Sequence, residues 1–86
     1  MSKTQDKRLQ RRIEQATFLW EKAQIKAASA QSVLDFMIEQ YNQHKDELPE
    51  DIVKQTEEQI KMRQSEIEEF LMAEKTEYEK RLNVVQ

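Results

Sequence analysis

The sequence predicts an all-α fold, an antiparallel two-helix hairpin of coiled-coil type, and three observations carry the prediction. Ten positions in the first half keep an unbroken four-three spacing, and all of them are apolar: Leu9, Ile13, Ala16, Trp20, Ala23, Ala27, Ala30, Leu34, Met37 and Tyr41. The chain has 86 residues and no Gly, so tight turns with positive φ are hard to make and β-hairpins or phosphate-cradling loops are disfavoured. Its single Pro, Pro49, falls near the middle.

The first helix is expected over residues 6–45, about 60 Å long at roughly 1.5 Å per residue. Residues 1–5 are expected to fray. His44 and Lys45 sit where cationic groups favour the negative end of the helix dipole. The turn is read at residues 46–48, with Pro49 as the first residue of the second helix, where its missing N–H costs nothing. Glu50 and Asp51 then complement that helix's N-terminus, and Asp46 or Glu47 is the expected capping oxygen, since Leu48 has none. A turn this short forces the helices antiparallel.

The second helix is expected over residues 49–82. Its stripe is thinner: Ile52, Val53, Thr56, Ile60, Ile67, Phe70, Leu71, Tyr78 and Leu82, interrupted by Arg63, Gln64 and Glu74. Folding about residue 47 pairs positions whose numbers sum to about 94. Tyr41 then faces Val53, Leu34 faces Ile60, Ala27 faces Ile67, Ala23 faces Leu71 and Ala16 faces Tyr78. Small residues meet large ones, as close helix packing requires.

Composition narrows the function. Charged residues make up 36% of the chain and the net charge is −3. Residues 1–12 carry +4, residues 13–45 carry −1 and residues 46–86 carry −6, so the start is basic and the second half acidic. No Cys is available for a disulfide or a thiolate metal site. No apolar run reaches the length of a transmembrane span or a signal-peptide core, and a cytoplasmic location is expected. No catalytic residue, cofactor or metal is expected. His44 is the lone histidine, the carboxylates have no His in a di-metal pattern, and no nucleophile elbow or Gly-rich loop exists.

What lies off the seam is the candidate site. Phe18, Ile25 and Phe36 fall on the far side of the first helix, with Leu19, Val33 and Ile38 on its flanks. Such a stripe implies a second interface. It is either a homodimer forming a four-helix bundle or a face for a different protein; a lone hairpin leaving these side chains exposed is the plain alternative. Glu66, Glu68 and Glu69, with other acids of the second helix, form a negative rod able to occupy a basic nucleic-acid channel. Arg8, Arg11 and Arg12 are the candidate phosphate contacts. The hairpin brings them near Glu74, Glu77 and Glu79, which are expected to neutralise them, so nucleic acid is not the favoured partner.

The opening Met1-Ser2-Lys3-Thr4-Gln5 and the stretch from Trp20 to Ala28 resemble small helical proteins of unknown function encoded on Gram-positive mobile elements. Some compact acidic helical proteins of such elements are anti-CRISPR inhibitors. The resemblance implies a stoichiometric inhibitor of a nucleic-acid-binding effector such as Cas9, and it transfers no binding residues. The leading expectation is therefore a non-enzymatic inhibitor or adaptor acting by protein binding. The alternatives are a DNA-associated accessory protein, using Arg8, Arg11 and Arg12, and a purely structural bundle subunit.

Overall fold

The computed structural model describes the backbone of residues 3–85 and the side chains of residues 6–83. Two helices, α1 (Lys3–His44) and α2 (Glu50–Val85), are joined by a single 3₁₀ turn at Lys45–Glu47 and pack antiparallel along their length. The result is a flat rod with Cα extents of 68 × 16 × 9 Å. The all-α hairpin is thus as the sequence predicts.

The element ends differ from expectation by a few residues. Helix α1 starts at Lys3 rather than Asp6, which places Asp6 inside the first turn, where its charge complements the positive end of the helix dipole. Lys45 has left α1 for the 3₁₀ turn, a common tightening of a helix C-terminus. Helix α2 continues to Val85, past Leu82.

Pro49 stands one residue ahead of its expected place. Its carbonyl accepts the Val53 N–H at 3.0 Å, so it precedes the first helical residue, Glu50. Leu48 is extended, with φ −94° and ψ 146°, because the proline ring excludes the α region from the residue before it. Leu48 N–H closes the turn on the Lys45 carbonyl at 3.2 Å. The expected side-chain cap does not form among the described residues: the Glu47 carboxylate lies 3.3 Å from His44 Nδ1 instead.

Among the described residues five are buried, Ala16, Ala23, Ala27, Leu34 and Tyr41, and all belong to the expected seam of α1. Of the other five seam positions, Leu9, Trp20 and Met37 are half-buried, while Ala30 is exposed. Ile13, at 45% exposure, also leaves the seam. A strict heptad repeat assumes 3.5 residues per turn, whereas a straight helix has about 3.6 and drifts about 20° per heptad. Burial accordingly crosses from the column of Ala16 and Ala23 to that of Ala27, Leu34 and Tyr41.

Three hydrogen-bonded side-chain pairs fix the register. The Thr17 and Tyr78 hydroxyls lie 3.1 Å apart, Gln31 and Gln64 exchange bonds of 3.0 and 2.9 Å, and the Tyr41 hydroxyl donates to Glu57 at 2.9 Å. The first two pairs sum to 95, within one residue of the expected pairing. Gln64, read from sequence as an interruption, is therefore a polar member of the seam, and half-buried Glu74 likewise lies along it. Trp20 stacks on Tyr78, with centroids 6.0 Å apart and rings 10° from parallel. Burial, the hydrogen bond to Glu57 and that carboxylate's charge together hold the Tyr41 phenol above its ordinary pKa.

Candidate interaction surface

Phe18, Ile25 and Phe36 form one line. At about 100° per residue, the seven residues from Phe18 to Ile25 return to within about 20°, and the eighteen to Phe36 make about five full turns. Buried Ala27 lies nine residues from both Phe18 and Phe36, about half a turn around, so the line runs along the outer edge of α1, away from α2. Its length is about 27 Å. The three side chains are 57%, 67% and 62% exposed. Exposed Ser29 and Ser32 leave a low stretch between Ile25 and Phe36, and Lys22 Nζ stands 5.4 Å over the Phe18 ring.

The two broad faces of the rod differ. One carries residues spaced by seven, Gln10, Thr17, Gln24 and Gln31, opposite Glu57, Gln64, Leu71 and Tyr78, and the bonds between helices gather there. The other holds the column Arg12, Leu19, Lys26 and Val33 opposite Arg63, Phe70 and Glu77. Two hollows open on this second face. One, of about 370 Å³, is walled by Ala27, Ala30, Val33, Leu34, Ile67 and Phe70, with Lys26, Arg63 and Glu66 around it. Lys26 Nζ lies 5.2 Å over the Phe70 ring and so tethers the helices across it. The second, about 510 Å³, lies nearer the open end and includes Arg12, Leu19, Glu77 and Arg81. Leu19 and Val33, flanks of the stripe in sequence, line the hollows together with Glu77 and Phe70 of α2.

The acidic candidates do not converge. Glu66, Glu68 and Glu69 are all exposed, but Glu66 borders the hollow while Glu68, two residues on, points about 200° around α2. Arg8, Arg11 and Arg12 are exposed as well. The expected neutralisation by Glu74, Glu77 and Glu79 does not take the form of ion pairs among the described residues. The contacts there are local: Lys80 pairs with Glu77 at 3.8 Å, and His44 hydrogen-bonds Glu47 at 3.3 Å. Of the three, Arg11 lies seven residues from Phe18, on the outer side of α1 and away from α2.

Among the described residues no group of three or more His, Asp or Glu side chains stands together as a metal site. Neither helix is long and apolar enough to cross a membrane. Comparison with known protein families, with characterised proteins and with solved structures finds no match to this chain.

Proposed function

We propose that the protein is a non-enzymatic protein-binding module, an inhibitor or adaptor that lays the outer edge of α1 on a partner protein. The observation that supports this reading is the alignment of Phe18, Ile25 and Phe36 in water along one edge. Spacing of seven and eleven residues is how an amphipathic helix presents anchors to a groove. Glu66, Glu68 and Glu69, dispersed around α2, add a negative field that favours a basic partner and speeds encounter more than it tightens the complex. A nucleic-acid-binding effector of the Cas9 kind has such a surface, and the resemblance in the first half of the chain points the same way.

The test is a titration of a guide-loaded Cas9 effector with purified protein. Stoichiometric loss of DNA cleavage, relieved by Phe18→Ser with Ile25→Ser and Phe36→Ser, is the expected result. Cleavage undiminished by excess protein rules out that target. A photo-crosslinker at Ile25 then decides the broader reading: recovery of DNA with no cross-linked protein rejects it.

One observation favours a second reading. Arg8, Arg11 and Arg12 are exposed and make no ion pair with the acids of α2 among the described residues, which suits contact with phosphates. A salt-sensitive mobility shift of DNA, abolished by Arg11→Ala with Arg12→Ala, would select it.

A further inference from the structure

We infer that the hollow broad face seats a second copy of the chain, lying antiparallel, so that the turn of each protomer meets the open end of the other. This is independent of the partner proposed for the outer edge, which stays outside the contact and is carried twice by the dimer.

Surface area is the first argument. The rod exposes 7192 Å², whereas a compact monomer of this mass exposes about 5,400 Å². The surplus is about 1,800 Å², and a standard interface takes about 800 Å² from each partner. Of the two broad faces, the hollow one carries the apolar part of that surplus: Val33 is 65% exposed, Leu19 and Ala30 are exposed, and half-buried Ile67 and Phe70 complete the wall. The opposite face presents Gln10, Gln24 and Gln31, of which Gln31 is bonded to Gln64 of α2 and Gln10 to Glu14 of its own helix. A second helix pair laid on the hollow face completes a four-helix bundle.

Charge chooses the direction. At the open end, Asp6, Lys7, Arg8, Arg11 and Arg12 sum to +3, and Glu74, Lys75, Glu77, Glu79, Lys80 and Arg81 sum to zero. At the turn, Lys45 and Lys54 stand against Asp46, Glu47, Glu50, Asp51, Glu57 and Glu58, for −4. The rod is thus positive at one end and negative at the other. Two-fold packing with the turns together sets like charge on like at both ends. Packing with the turns apart sets +3 beside −4 twice.

The test uses the full chain. Light scattering is expected to give twice the 10.4 kDa chain mass, with the dimer weakening as salt is raised. Val33→Arg and, separately, Ala30→Arg are expected to return the monomer mass with helical circular dichroism unchanged. Because the chain has no Cys, Asp46→Cys takes a single spin label at the turn. The separation between labels in the dimer should be most of the rod's 68 Å length. A monomer at high concentration overturns the inference. So does a dimer with labels within roughly 20 Å, the spacing of adjacent turns. A dimer that survives both arginine variants but dissolves with Ile25→Asp also overturns it and moves self-association to the outer edge.

Discussion

Gln31 and Gln64 exchange two hydrogen bonds across the seam, at 3.0 and 2.9 Å, and Gln31 also donates to Asp35 at 3.0 Å. Both amide hydrogens of Gln31 are thereby used. A half-buried polar pair of this kind contributes modest stability and strong preference for one register, since any slip leaves both amides unmatched. Gln64→Leu alone is expected to cost about 1 kcal/mol, because the Gln31 amide loses its partner. Adding Gln31→Leu should recover that loss or more. Thermal melts of the single and double variants, read as a double-mutant cycle, check this; an additive pair would mean the amides do not act together.

Ala27 is 5% exposed, on the side of α1 that meets Ile67 in the register set by the glutamines. Ala27→Leu adds volume where none is spare and should destabilise by about 1–3 kcal/mol. An unchanged melting temperature would show that the helices separate there without strain.

Tyr41 and Glu57 couple stability to pH. The phenol's pKa is raised in the folded state, so its contribution is fully present below the pKa of an unfolded tyrosine and is lost as pH rises through the higher folded value. In a Tyr78→Phe background, where Tyr41 is the remaining tyrosine, ultraviolet titration of the folded chain should give a higher midpoint than the chain in denaturant. Glu57→Gln should lower that midpoint by removing the charge. A midpoint unmoved by Glu57→Gln would leave burial as the whole cause.

Leu48 and Pro49 alone interrupt an otherwise helical backbone from Lys3 to Val85. Replacing both, Leu48→Ala with Pro49→Ala, removes the ring that excludes the α conformation and supplies good helix formers. The expected outcome is a population with one continuous helix that remakes the seam between two chains. Small-angle scattering should then give a radius of gyration well above the 19.9 Å of the hairpin.

Much of the fold was legible because its cause is local. The apolar spacing of α1, the absence of glycine and the position of Pro49 are each sufficient to exclude most other architectures, and the pairing they imply is within one residue of that found. The misreadings share a cause too. A heptad run of ten positions from Leu9 to Tyr41 spans about 90° of drift on a straight helix, so Ile13 and Ala30 turn out of the seam. Gln64 and Glu74 look like gaps because hydropathy scores a side chain without its partner, and Gln64 is half-buried only because Gln31 meets it. Of the surface, exposure of Phe18, Ile25 and Phe36 followed from periodicity alone. The hollow beside Val33 and Phe70 belongs to both helices at once and needed their relative rotation, which no single-helix pattern contains.

The three bonded pairs between the helices also form a ladder in time. The chain between partners lengthens from 16 residues at Tyr41 and Glu57, to 33 at Gln31 and Gln64, to 61 at Thr17 and Tyr78. Once the first rung closes, the second adds 17 residues and the third 28, so the 61-residue loop is never closed in one step. Assembly proceeds from the turn outward, and opening runs the other way. Amide protection against exchange should therefore fall steadily from the turn toward the open end. The basic end is the one that comes apart first, and whatever grips the two helices there would clamp the whole molecule shut.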